Sequence, residues 1–273
     1  MTSLTFRDRV SVALIDGVAD TRLTRPDKRN ALDGDMFLAI AEAGEWLCSA
    51  PGVRAVVLSG EGSSFCAGLD FATMAALAAG GGDADGNPGR LRPDGLTHLG
   101  QQVAWVWQEV PVPVIAAVHG HALGGGIQIA LGADIRIVHP DTQMSVREVH
   151  WGLVPDMSGT LSLAGLVRPD VAKELVFTAR LFDGREALSL GLATRLSDTP
   201  LDDALAMALE IARRSPDAVR GAKRLLNAQV EHRAAAQFRL EREVIHGLIG
   251  HPNQIEAVTA NFERRDPVFV DMS

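Results

Sequence analysis

Between Val10 and Val138, short apolar runs of strand length recur, most of them closed by turn residues. Val10 to Ile15 alternates apolar with polar positions, the period-two pattern of a half-buried strand. Ala55-Val56-Val57-Leu58, Val114 to Val118 and Ile135 to Val138 are instead continuous apolar runs, as strands covered on both faces require. The period changes between them. Met36, Ile40, Ala43 and Leu47 predict a helix over 35–47, and further helices are predicted over 96–110 and 125–131. Strands alternating with helices imply an α/β architecture. From about Pro169 the pattern is helical, over 171–178, 184–190, 201–214, 217–229 and 234–249, with Ala193 to Leu196 as the one plausible late strand. The Ala/Leu-rich faces of these helices suit packing between subunits as readily as an internal core. Gly80 to Gly89 is too rich in Gly and Asp to pack and reads as a mobile loop.

Composition narrows the class without fixing it. The chain has 273 residues, of which 47% are hydrophobic and 22% charged, ordinary for a globular protein with a large core. No apolar run is long enough to cross a membrane, and the first residues lack a basic segment followed by an apolar one. Two cysteines in so long a chain argue against a disulfide framework and fit a reducing compartment, so a cytoplasmic location is expected. A net charge of −8 disfavours nonspecific contact with nucleic acid or anionic membrane.

Candidate chemistry gathers after the strand at 114–118. Gly124-Gly125-Gly126 can turn a strand sharply into a helix whose free N–H groups face an acceptor. Alone it is a tight turn, and it lacks the spacing of a dinucleotide or phosphate loop. A second glycine turn, Ser64 to Asp70, follows the strand at Ala55. Two such turns can supply two N–H groups to one oxygen, each donor worth roughly 3 kcal/mol of barrier. Glu148 and Asp156, eight residues apart, flank the apolar stretch Val149 to Val154, and Gly152 and Pro155 oppose a helix through it. A carboxylate buried there would have a raised pKa suited to proton transfer. His150 between Val149 and Trp151 reads as structural, and no metal site is expected. Cys66 reads as a small packed residue, and Arg25, Lys28 and Arg29 as a solvated basic turn.

Together these segments resemble the crotonase (enoyl-CoA hydratase/isomerase) superfamily over nearly the whole chain. Arg25-Pro26-Asp27-Lys28-Arg29-Asn30-Ala31-Leu32 is similar to the family's early coenzyme A-binding motif. Phe65 to Asp70 and Ala122 to Gly126 are similar to its two oxyanion segments. Ala133 to Arg136 and Phe262 to Phe269 also fit, and five motifs in this order are a specific combination. The resemblance implies a spiral of ββα units over 1–195 holding the active site. A helical region over 196–273 would serve oligomerisation and pocket closure in a homotrimer or homohexamer. It implies an acyl-CoA thioester as substrate, with coenzyme A part of that substrate and no separate cofactor. By position, Leu69 and Gly125 N–H would hold the thioester oxygen, while Lys28, Ala67, Gly124 and Gln128 would contact substrate.

One departure directs the choice of reaction. Hydratases of the family use two glutamates; Glu148 matches the second, but Gln128 stands in place of the first. A glutamine cannot exchange a proton at a useful pKa. Asp156 stands where dienoyl-CoA isomerases carry an aspartate. The resemblance therefore favours a Δ3,5-Δ2,4-dienoyl-CoA isomerase that works through an enolate, with Glu148 and Asp156 moving the protons. Which of the two is base and which acid stays open. The rival expectations are an enoyl-CoA hydratase, a Δ3-Δ2-enoyl-CoA isomerase needing one carboxylate, and a non-catalytic acyl-CoA-binding protein.

Overall fold

A computed structural model describes residues 2–78, 86–93 and 96–270. The chain opens with strands β1 (Thr2–Phe6), β2 (Val10–Ile15) and β3 (Val18–Leu23), then helix α1 (Gly34–Ser49) and strand β4 (Ala55–Gly60). Helices α2 (Phe71–Ala78) and α3 (Leu99–Glu109) precede β5 (Val114–Val118), β6 (His121–Leu123) and α4 (Gly125–Gly132). Next come β7 (Ile135–Val138), β8 (Gln143–Ser145), α5 (Gly159–Leu166), α6 (Pro169–Thr178), α7 (Gly184–Leu190) and β9 (Arg195–Leu196). The chain continues through α8 (Pro200–Ala212), α9 (Pro216–Leu248) and α10 (Pro252–Glu263).

The main sheet has the order β1-β2-β3-β4-β5-β7-β9, antiparallel across its first three strands and parallel thereafter. A second, small parallel sheet pairs β6 with β8, and Cys66 extends it through a bridge to Ala122. Successive turns of the chain thus lay one strand in the large sheet and one in the small sheet before a helix follows: β5, β6, α4, then β7, β8, α5. This is a spiral of strand-strand-helix units.

The continuous apolar runs are explained by cover on both faces. Val56, Leu58, Val114, Ala116 and Val118 point into the principal core with α1 and α3. Their alternates Ala55, Val57, Ile115 and Ala117 meet Ala204, Ala208 and Ala212 of α8 on the other face. The alanine face of α8 is therefore internal packing. Helix α9 divides its surface: Ala234 and Phe238 pack on Trp105 and Leu161, whereas Leu225 and Leu226 are exposed.

Several expectations change. The helices predicted over 217–229 and 234–249 are one 33-residue helix, because Glu231, His232 and Arg233 break the apolar stripe without breaking the backbone. Strands β1, β3, β6 and β8 and helices α2, α5 and α10 went unpredicted; β3 carries Asp20 and Arg22, whose charges interrupt its apolar pattern and which pair with each other in the fold. Of the loop expected at Gly80 to Gly89, residues 80–85 lie outside the described residues, and 86–89 form turns.

Candidate active site

The two glycine turns lie side by side because the backbone stitches them together. Cys66 N–H donates to His121 O at 2.9 Å and Leu123 N–H to Cys66 O at 3.1 Å. Gly68 has φ +89°, and a Cβ there would fall 2.5 Å from Leu123 O and 3.8 Å from the backbone nitrogen of Gly125. Only glycine fits that contact and that φ. Leu32 bonds Gly68 O and Asp70 N–H, so in this parallel bridge the N–H of Leu69 points away, and no backbone acceptor takes it among the described residues. Gly125 opens α4, so its N–H is one of the first-turn donors a helix cannot satisfy itself. Two free donors on adjacent turns make an oxyanion-type cradle.

The early basic motif braces this cradle. Asn30 is fully buried, donates Nδ2 to Ser64 O at 2.8 Å and to Glu61 O at 3.0 Å, and accepts from Arg25 N–H at 2.8 Å. Arg25 donates to Asp70 at 2.7 Å, next to Leu69. Lys28 is exposed and does not line the cavity. Ala67 does not line it either, and its N–H is taken by Arg29 O.

Glu148 starts a short 3-10 helix, Glu148–Trp151, that Gly152 closes at φ +70°. Its side chain reaches back to the cradle: a Cβ on Gly124, itself at φ +52°, would sit 3.3 Å from Glu148 Oε1. Gln128 Nε2 donates to Oε1 at 2.5 Å, and Oε2 has no partner among the described residues. Burial pushes the Glu148 carboxyl up to about 7, the charge of Asp156 adds to the rise, and the Gln128 bond opposes it.

Gln128 is sealed from solvent. Its Oε1 accepts from Met157 N–H at 3.0 Å and Gly159 N–H at 3.1 Å. Both acceptor positions are filled and one N–H is committed to Glu148, which leaves little of the amide to hold water. The side chain ties Glu148 to the segment that follows Asp156, behind the cavity rather than in it.

A cavity of about 520 Å³ runs past Leu69, Gly124, Gly125, Glu148 and Asp156. Met74, Trp151, Leu153, Ile245 and Ile249 give it apolar lining, and Arg90, Arg147 and His246 line it as well. Glu148, Asp156, Leu69 and Gly125 therefore meet at one cavity, as expected. Cys66 is packed as expected: burial raises its thiol to about 12 and Sγ donates to Asn30 O at 3.1 Å. His150 is exposed. The sequence reading missed His98, whose ring is buried with Nε2 3.3 Å from Asp156 Oδ2, and Glu241 behind it. Gln101 is the usual second half of a capping box, but histidine is not among its usual first residues, and the approach of His98 to Asp156 spans 58 residues of chain.

Comparison with known proteins gives a consistent set of likenesses. Residues 14–272 match the family Enoyl-CoA hydratase/isomerase. A probable enoyl-CoA hydratase of Mycobacterium tuberculosis is 32% identical over 264 residues, covering 95% of this chain and 98% of that protein. The human mitochondrial Delta(3,5)-Delta(2,4)-dienoyl-CoA isomerase is 33% identical over 255 residues, covering 91% of this chain and 77% of the isomerase. The crystal structure of an enoyl-CoA hydratase/isomerase from Mycobacterium paratuberculosis superposes with a TM-score of 0.83 at 27% identity, over 92% of this chain and 98% of that one.

Proposed function

We infer the reaction from the acids of the site, on the premise that this chain belongs to the enoyl-CoA hydratase/isomerase family and has its crotonase fold. The proposed activity is isomerisation of a Δ3,5-dienoyl-CoA to the conjugated Δ2,4-dienoyl-CoA. The observation that carries it is the pair Glu148 and Asp156 lining one cavity, with the residue behind Glu148 an amide rather than a third acid.

In this reading the thioester oxygen accepts from the N–H groups of Leu69 and Gly125. The Glu148 carboxylate, one oxygen of which has no partner among the described residues, takes a proton from C2. The electron pair left behind spreads over the thioester oxygen and along both double bonds, and the two donors lower the energy of that enolate. Asp156 returns a proton at C6, the double bonds settle at C2 and C4, and proton exchange between the acids resets the pair. A carboxyl poised near 7 is a base matched to neutral pH. The apolar part of the lining, Met74, Trp151, Leu153, Ile245 and Ile249, suits an acyl chain.

Hydration of a 2-enoyl-CoA is the second reading, favoured by relatives that carry a hydratase name. It needs a water held between two groups, and the amide of Gln128 is already occupied. Replacing Asp156 with Asn separates the two. The proposal expects loss of 3,5-dienoyl-CoA isomerisation by a hundredfold or more, on the order of a lost acid/base catalyst, with deuterium exchange at C2 retained because Glu148 performs it. Unchanged isomerisation in D156N would overturn the assignment.

A further inference from the structure

His98 is the capping residue of α3. Gln101 N–H donates to its Nδ1 at 2.9 Å, and the Gln101 side chain accepts from His98 N–H at 3.1 Å. That reciprocal cap has a chemical consequence: with Nδ1 held as an acceptor, the ring proton resides on Nε2. Nε2 lies 3.3 Å from Asp156 Oδ2 and has no regular hydrogen bond among the described residues. The side chain is wholly buried, while that of Asp156 is 21% exposed and lines the cavity.

The ring is fixed from behind. Gln101 Nε2 donates to Phe238 O and to Glu241 Oε2, both at 2.9 Å, and Gln101 Oε1 also accepts from Arg242 at 3.1 Å. All the hydrogen-bonding positions of the Gln101 amide are thereby used. Glu241 in turn accepts from Ser158 N–H at 3.2 Å and Thr160 Oγ1 at 2.5 Å, just past Asp156. Helix α9 thus grips both the cap of α3 and the segment that follows Asp156.

We propose that His98 is a positioning residue for Asp156: its Nε2–H engages Oδ2, which confines the transferable proton of Asp156 to Oδ1. Without it, a carboxyl hung on a turn can rotate and present either oxygen or neither. The 3.3 Å separation is within hydrogen-bond reach; what the pair lacks is alignment of the N–H with the oxygen, which rotation of the carboxyl about its Cβ–Cγ bond supplies. The inference rests on the isomerase reading for its kinetic consequence, though not for the contact itself.

Two experiments separate these. Nitrogen-15 spectra of histidine-labelled protein, with His98 assigned by its loss in H98N, are expected to show the Nε2–H tautomer, and its proton resonance is expected to move in D156N. An Nδ1–H tautomer, or a resonance indifferent to D156N, would overturn the proposal. Asn at 98 keeps a side-chain oxygen to cap α3 but does not reach Asp156. H98N is expected to lower kcat on 3,5-dienoyl-CoA roughly ten- to a hundred-fold with KM changed by no more than about threefold. C2 exchange should persist, and H98N/D156N should be no slower than D156N. Wild-type kcat in H98N, or C2 exchange lost in parallel with isomerisation, would contradict the positioning role. A wild-type protein inactive on 3,5-dienoyl-CoA would sink the isomerase reading instead, and the spectra then decide the contact alone.

Discussion

Glu148 gains its chemistry from being uncomfortable. Its carboxyl would titrate near 4.5 in solvent and is pushed up to about 7 where it stands, first by burial. A folded-state value above the unfolded one means that the native state holds the proton more tightly. The stabilising contribution is complete below about 4.5 and is lost as pH rises through 7, on the order of a few kcal/mol. Glu148→Gln removes that titration. Thermal unfolding should therefore find the variant gaining stability over wild type between pH 5 and pH 8, and a difference that stays constant with pH would contradict this. The same proton sets catalysis: kcat/KM for isomerisation should climb as pH rises through about 7, and a profile flat from 6 to 8 would exclude Glu148 as the base. Glu148 and Asp156 were legible in the sequence because acids inside an apolar stretch are chemically out of place. Gln128 was legible by type but not by role, since its partners Met157 and Gly159 lie 29 and 31 residues away. His98 was not legible as a site residue, because only the folded chain brings it to Asp156.

At the scale of elements, the motifs that signalled the family turn out to be braces. Asn30 ties the early basic turn to the loop below the cradle, so that motif holds the N–H of Leu69 in place whatever its exposed cations contact. Asp134 accepts from Val114 N–H at 2.8 Å and from Lys223 Nζ at 2.7 Å. Lys223 also donates to Trp107 O and Val112 O, and so fastens α9 to the strands that carry the site. Burial holds its amine below the usual lysine range, with Asp134 opposing that fall. Replacing Lys223 with Met strands a partly buried carboxylate and two carbonyls. Denaturant unfolding should show a loss of about 3 kcal/mol; a loss under about 1 kcal/mol would mean that α9 is held by its apolar face alone. The strands buried on both faces were legible because nothing else explains runs such as Val114 to Val118. The continuity of α9 was not, because the polar run at Glu231 to Arg233 reads as an interruption until Ala234 and Phe238 are seen packed beneath it.

At the scale of the molecule, one long helix joins stability to chemistry. Its first half is anchored by Lys223, its last quarter grips Gln101 through Glu241, and Ile245 and Ile249 at its end line the cavity. The fold supplies an apolar pocket for a chain, two donors for one oxygen and two acids along its length. That arrangement asks for a substrate whose electrons shift along several carbons. The most direct test presents purified wild-type protein with a 3,5-dienoyl-CoA and a 2-enoyl-CoA in parallel. Conversion of the first to the conjugated 2,4-dienoyl thioester, carrying deuterium at C6 when run in D2O, with the second left unhydrated, is the expected result. Rapid hydration of the 2-enoyl thioester with the 3,5-dienoyl thioester untouched would contradict it.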